Sequence, residues 1–569
     1  MRRRQFLAGS SFGLLGMGAL TSGLFGCQPT APVAGPIIAT PSGKIQGSDF
    51  QGIHRFLGIP YAEAPFGARR FLPPEPRMPW SDVLPADAYG PVCPQAGRLQ
   101  PGTPAEGEDC LNLNVWTPAL GAANLPVMVW LHGGAHVSGS GSLPIYEGQT
   151  LAAEGVVLVT CNRRLGAEGY LYLEELMGPG VGQGNLGIED VIQVLRWVQQ
   201  HIASFGGDPN NVTLFGQSYG ASAAQAVVAS PRSRGLMRRV IAQSGSYAAQ
   251  RQSSANALAK HVLQAFGIAA GDLTALQAVP PSRFASLYPE LRALGLGQPQ
   301  AFLPMISEHM PVHPADAAHA GFGLDLDYLT GTCAAEATLF QVLAGDLTLE
   351  SLAAESMGAN QQDLAARPTG QLSAPEKTAS VSNASAGIAG AAASSLFVKR
   401  VDQILAAANV DWATARMAYA RALPQATSRE LESAIMGDVR FWLPTQRVAD
   451  GHAMRSAART YTYRFQWPAP LLGPTHGMDL MLFGVGNPLA ALTDILELPQ
   501  IATTMRKAWV AFARNGDPST TDVAWPEYGL ATRATMLLDE QARVALDPML
   551  EQRRLFGAMI ANNWQAAGL

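Results

Sequence analysis

Lysine is nearly absent from this chain: Lys44, Lys260, Lys377, Lys399 and Lys507 are all there are in 569 residues, and arginine carries most of the positive charge. Charged residues of both signs make up only 15% and the formal net charge is −5, so no basic face is available to a phosphate backbone and no nucleic-acid partner is expected. Past Phe25 no apolar run approaches the roughly 20 residues that a spanning helix needs, which leaves an N-terminal anchor as the route to a membrane. Cysteine is sparse as well, at Cys27, Cys93, Cys110, Cys161 and Cys333. What the chain does hold is 47% hydrophobic residues, enough to bury a large core in a globular protein.

The first residues read as a targeting peptide and not as a structural helix. Arg2-Arg3-Arg4-Gln5-Phe6-Leu7 followed by a Gly/Leu/Ala-rich run is similar to a twin-arginine export signal, and Leu24-Phe25-Gly26-Cys27 resembles a lipoprotein cleavage box with Cys27 as the lipidated residue. Cleavage without a lipid is the alternative. The expected layout is therefore an export segment at 1–27, a Pro/Ala linker at 28–36 and one long main domain at 37–569, in a periplasmic or outer-membrane-anchored bacterial protein. In that oxidising setting Cys93 and Cys110, which flank a Pro/Gly-rich loop, are expected disulfide partners. Cys161 ends an apolar strand and reads as a buried thiol.

Apolar runs without alternation, such as Val127-Met128-Val129-Trp130-Leu131 and Val156-Val157-Leu158-Val159-Thr160, predict strands buried on both faces. Between such runs lie helical segments, the clearest from Gly187 to Phe205, where Ile188, Val191, Ile192, Leu195, Val198 and Ile202 recur at helical spacing. Strands alternating with helices imply an α/β fold, a central, mostly parallel sheet flanked by helices. A segment at about 353–395, rich in Ala, Ser, Gly and Gln, breaks the pattern and reads as a low-complexity insertion, either a flexible excursion or a lid.

The motif with the most chemistry is Gly216-Gln217-Ser218-Tyr219-Gly220, between the run Val212 to Phe215 and the small residues Ala221 to Ala224. Strand, sharp turn and helix with a serine at the apex present a hydroxyl that becomes a nucleophile once a base reaches it. Alone, so short a pattern is more often a plain turn. Its companions decide the matter. His132-Gly133-Gly134-Ala135, at the end of a buried strand, can aim backbone N–H groups at a developing oxyanion, with a further donor in the residue after the serine, Tyr219.

Among the ten histidines, His476 stands in Gly473-Pro474-Thr475-His476-Gly477, a breaker-flanked loop able to project into a cleft. His132 and His136 bracket the glycine turn. His309, His313 and His319 fit no compact ligand spacing, so no metal is expected, and His54, His201, His261 and His452 read as surface or core residues. A carboxylate must then fix the imidazole, and Glu336, just past the strand Tyr328-Leu329-Thr330, lies between serine and histidine in sequence, with Asp325 and Asp327 as competitors by position.

The chain resembles the type-B carboxylesterases, the group that holds bacterial p-nitrobenzyl esterases, liver carboxylesterases and cholinesterases. The resemblance runs from about Ile37 to the C-terminus. It is carried by Phe56-Leu57-Gly58-Ile59-Pro60-Tyr61-Ala62, Glu108-Asp109-Cys110-Leu111-Asn112-Leu113-Asn114-Val115, Gly184-Asn185-Leu186-Gly187, Phe205-Gly206-Gly207-Asp208-Pro209, the serine turn and Trp525-Pro526-Glu527-Tyr528. It implies the α/β-hydrolase fold and a Ser218–His476–Glu336 triad that cleaves carboxylic esters without a cofactor. It also implies oxyanion donors at Gly134, Ala135 and Tyr219, a Cys93–Cys110 disulfide and an Arg70–Glu108 ion pair.

Three departures from the group's pattern stand out, two at the serine turn and one beside the acid. Gln217 stands where the group commonly has glutamate, Tyr219 where it has a small residue, and Ala337 where glycine usually follows the acid. The segment from Cys93 to Cys110 lacks an aromatic residue, so choline esters are poor candidates. The same triad would serve amides, carbamates or lactones, and a non-catalytic binding protein on the same scaffold is the remote alternative. The small-molecule ester itself and the oligomeric state are not legible.

Overall fold

The computed structural model describes residues 33–97, 99–121, 123–293, 302–344, 346–348, 401–484 and 498–561. The expected export segment with Cys27, residues 28–32 of the expected linker and the expected insertion at about 353–395 lie outside the described residues. The linker reading gives way at Val33, where the chain already pairs with the next strand through Val33↔Asp49 and Ala34↔Ser48.

One sheet organises the molecule. In chain order its strands are β1 (Val33–Thr40), β2 (Gly43–Phe50), β3 (Ile53–Pro60), β4 (Val83–Pro85), β5 (Asn112–Thr117), β6 (Leu125–Leu131) and β7 (Val157–Cys161). They continue as β8 (Gly207–Gln217), β9 (Arg239–Gln243), β10 (Asp327–Cys333), β11 (Thr460–Phe465), β12 (Ala534–Leu538) and β13 (Ala542–Leu546). The spatial order is β1-β2-β3-β5-β7-β6-β8-β9-β10-β11-β12-β13, with β4 paired to β2. From β7 through β12 neighbouring strands are parallel, and antiparallel strands close both edges. Flanked by helices, this is the α/β-hydrolase fold.

The unbroken apolar strands are explained by cores on both faces. Successive side chains of a strand point to opposite sides, and on β6 Val127, Val129 and Leu131 enter one core while Met128 and Trp130 enter the other. The first core receives Val191, Ile192 and Leu195 of the helix Leu186–His201; the second receives Met505, Trp509 and Phe512 of the helix Gln500–Asn515. At roughly 1.5–3 kcal/mol for each large side chain so buried, this packing is what sets the sheet's position. Near the start of β8 the register jumps from Gly207 to Val212 opposite Leu125 and Val127, so Asp208-Pro209-Asn210-Asn211 form an excursion within the strand.

Two expected pairings are corrected. Arg70 meets Glu168 at 2.5 Å, both side chains buried, while Glu108 is exposed. The short helix Gly166–Tyr170 brings Glu168 inward, where the guanidinium already lies among Phe66, Phe71 and Phe284. Cys93 and Cys110 come together in the core but remain free thiols, with Cys93 Sγ 3.8 Å from the Cys110 carbonyl oxygen. A bond would need the sulfurs about 2.05 Å apart. Burial, and then contact with Cys110, pushes the Cys93 thiol well up, so it stays protonated and donates to that carbonyl. Cys161 on β7 and Cys333 on β10 are separated by β6, β8 and β9.

The parallel strands end on one edge. His132 follows β6, Ser218 follows β8, Ser244 follows β9, Glu336 comes just after β10 and His476 on the loop after β11. In open α/β sheets this carboxyl edge is where ligands bind.

Candidate active site

Ser218 occupies the turn between β8 and the helix Tyr219–Val228 with φ 59° and ψ −125°. A non-glycine residue at positive φ is strained, and the neighbouring glycines make the turn feasible. A β-carbon at Gly220 would stand 2.0 Å from the Leu131 carbonyl oxygen, and one at Gly216 would stand 2.6 Å from the Gly220 carbonyl carbon. Strand and helix therefore pass each other only because neither position has a side chain. The Ser218 N–H donates to the Gln243 carbonyl at 2.8 Å, which ties the turn to β9.

The structure brings Glu336 and His476 together. Glu336 Oε2 lies 2.5 Å from His476 Nδ1, and both side chains are buried. Its other oxygen accepts from Ser244 Oγ–H at 2.6 Å and from the Cys333 N–H at 2.7 Å, so the carboxylate is fully engaged. The two loops are also laced together: the Ala335 N–H donates to the Pro474 carbonyl at 2.9 Å, and the Leu339 N–H to Thr475 Oγ1 at 2.8 Å. Asp327, a competitor by position, begins β10 and pairs with Arg239 and Arg459 at the opposite edge of the sheet. With Glu336 on Nδ1, the lone pair of a neutral ring sits on Nε2. The side-chain amide of Gln217 meets that nitrogen at 3.2 Å, and no hydrogen bond joins Ser218 Oγ to the ring.

The glycine turn after β6 is drawn back by its carbonyls. The Gly133 carbonyl lies 2.7 Å from His132 Nδ1, and the Gly134 carbonyl accepts from the N–H groups of Val137 at 3.0 Å and Ser138 at 2.9 Å. A planar trans peptide points its N–H opposite to its C=O. The N–H groups of Gly134 and Ala135 are thus turned away from those backward contacts. Tyr219 opens its helix, where the first N–H groups have no partner within the helix.

A carboxylesterase-family model matches residues 34–555.

The chain belongs to the carboxylesterase family.

The para-nitrobenzyl esterase of Bacillus subtilis (strain 168) is 34% identical over 535 residues, 91% of this chain and 98% of that protein. The phenmedipham hydrolase of Pseudarthrobacter oxydans is 30% identical over 539 residues, 90% of this chain and 97% of that protein. Among solved structures, a PNB esterase superposes with a TM-score of 0.74 at 30% identity, and a carboxylesterase of Geobacillus stearothermophilus with 0.71 at 31%, each match covering 91% of this chain and 99% of the other.

The site of this carboxylesterase holds residues that its motifs did not announce. Phe340 and Phe441 flank the His476 ring with centroids 5.0 and 4.7 Å away. Asp479, on the 3-10 helix that follows the histidine, accepts from the Tyr463 hydroxyl at 2.9 Å and is fully buried, which pushes its carboxyl up to about 6. Its place three residues past His476 was a usable signal. The signal for Ser244 was its position directly after an apolar strand. The Tyr219 ring packs with Ala248 and Leu303, edge-on to His136 at 4.8 Å, and its hydroxyl accepts from Arg440 Nη2 at 3.3 Å. His132 and His136, both buried, are held well below the ordinary histidine range by burial first and by the Arg163 charge second.

Proposed function

We propose that this carboxylesterase cleaves carboxylic esters through an acyl-enzyme on Ser218. His476 Nε2 takes the serine proton as Oγ attacks the ester carbonyl, then returns it to the leaving alcohol; water, activated by the same nitrogen, cleaves the acyl-enzyme. Glu336 holds the ring by Nδ1 and offsets its charge while it is protonated. The N–H groups of Gly134, Ala135 and Tyr219 receive the oxyanion, each worth about 3–4 kcal/mol of barrier by analogy with mutagenesis of such donors. Gln217 must yield Nε2 to the serine for the first step.

The observation that carries this reading is the 2.5 Å Glu336–His476 contact, on the sheet edge where the strained Ser218 turn also ends. Hydrolysis of a p-nitrophenyl ester by the wild type and by Ser218→Ala tests it. The serine variant should lose nearly all turnover and should resist labelling by a fluorophosphonate. Equal rates in the two proteins would sink the assignment. The enzyme is further proposed to be exported and held to a membrane by a lipid on Cys27.

A further inference from the structure

Behind the glycine turn lies a buried guanidinium with no carboxylate partner. Arg163, just past β7, is 0% exposed; Arg164 beside it pairs with Asp190 at 2.7 Å, but no carboxylate among the described residues forms an ion pair with Arg163. Burying an unpaired charge is costly, so a chain that keeps one has a use for it or a compensation elsewhere. Arg163 Nη2 donates to the His132 carbonyl at 3.0 Å, while Nε and Nη1 have no protein partner.

The turn in front of it is strained. Gly134, Ala135 and His136 take φ of 103°, 61° and 61° in succession, a run that two side chains make unfavourable. Such a turn keeps its shape only if it is held. The Gly134 carbonyl is held by Val137 and Ser138, the Gly133 carbonyl by His132 Nδ1, and the His136 carbonyl by the Gly166 N–H at 2.7 Å. The peptide at the head of this series, with the His132 carbonyl, is the one that Arg163 fixes. His132 and His136 are neutral in their buried sites, so the fixed positive charge behind the turn comes from Arg163. In an interior of low effective dielectric, a charge so placed acts on the oxyanion with little screening.

We propose that Arg163 is a positioning residue of the esterase reaction: it anchors the His132 carbonyl at the head of the strained turn and lays a permanent positive charge behind the Gly134 and Ala135 N–H groups. This rests on the oxyanion role assigned to those groups above. Arg163 touches no substrate. Its effect is felt when negative charge builds on the carbonyl oxygen, so it should act on kcat and leave ground-state binding alone.

The test compares Arg163→Met, Arg163→Gln and Arg163→Lys in the full chain, measuring kcat, KM, thermal midpoint and the inhibition constant of an aryl trifluoromethyl ketone, which forms a tetrahedral adduct with the serine. Arg163→Met should lower kcat by about tenfold or more, short of the roughly 10²–10³ of losing a donor outright. KM should change less than twofold, and ketone affinity should fall in proportion to kcat. Arg163→Gln keeps a donor without the charge and should fall between; Arg163→Lys should recover most of the loss. Should Arg163→Met not fold, Arg163→Gln against Arg163→Lys makes the same comparison. Unchanged kcat in a folded neutral variant, or a loss confined to KM with ketone affinity intact, overturns the proposal. If Ser218→Ala stays active, the underlying site reading has failed instead.

Discussion

The side-chain amide of Gln217 stands 3.2 Å from Nε2 of His476, the ring nitrogen opposite the one that meets Glu336. An amide can donate to a neutral ring and, turned end for end, accept from a protonated one, so it carries no net preference of the kind a carboxylate would impose.

Replacing Gln217 by Glu adds a negative charge at that point. A carboxylate within about 4–6 Å favours the protonated imidazole, so the acid limb of the pH–rate profile should move to higher pH, by about one unit. The same charge should raise kcat/KM for cationic esters relative to neutral ones of equal size. Rates across pH 5–9 with a matched pair of esters check both. A profile and a ratio indistinguishable from wild type would count against contact between Gln217 and the working base.

Glu336→Gln preserves shape and removes the charge. The oxygen facing Ser244 and the Cys333 N–H can still be matched, but the group facing Nδ1 can no longer offset an imidazolium. By analogy with the loss of triad carboxylates elsewhere, kcat should drop by about 10³–10⁴ with a near-normal thermal midpoint. A drop of less than tenfold would assign the role to another carboxylate, and Asp479, buried three residues past His476, would be the one to test next.

Asp479 itself offers a stability test. Burial raises its carboxyl from 3.8 to about 6, so the folded state binds this proton more tightly than the unfolded chain does. Its contribution to stability is intact below about pH 4, falls as pH rises toward 6 and is lost above that, by on the order of 2–3 kcal/mol. Asp479→Asn should abolish that slope. Its stability advantage over wild type in urea should be small near pH 4.5 and should reach a plateau above pH 6.5. An advantage independent of pH would refute the ionised burial.

The fold was legible because strand and helix periods differ and because both faces of the sheet are covered: β6 and β7 read as unbroken apolar runs for that reason. Ser218 stood out by its glycine-flanked turn after β8, His476 by its breaker-flanked loop and Glu336 by its place just past β10, and the structure brings the last two into contact. Contacts made across the chain were not. Gln217 to His476, Arg440 to Tyr219 and Arg163 to the His132 carbonyl join residues 259, 221 and 31 positions apart, which no local pattern relates, and the Arg70 partner differs from the expected one since only the inward turn of the helix at 166–170 selects Glu168 over Glu108.

Tyr219 sets the last prediction. As the residue after the serine its N–H is fixed by the turn, whatever side chain it carries, while its ring fills the space between Ala248 and Leu303 beside Ala135. Tyr219→Ala should therefore keep kcat for a small acetate ester within a few fold and open room for bulkier esters, raising their kcat/KM relative to acetate by about tenfold. The cavity should cost roughly 3–5 kcal/mol, as for other buried aromatic truncations. Tyr219→Phe separates the hydroxyl from the ring: it removes only the acceptor for Arg440, so size selectivity should stay as in the wild type. If Tyr219→Phe widens the substrate range as much as Tyr219→Ala does, the limit is the Arg440 contact and not the bulk of the ring. A panel of p-nitrophenyl esters of increasing acyl length, run on both variants, decides between the two.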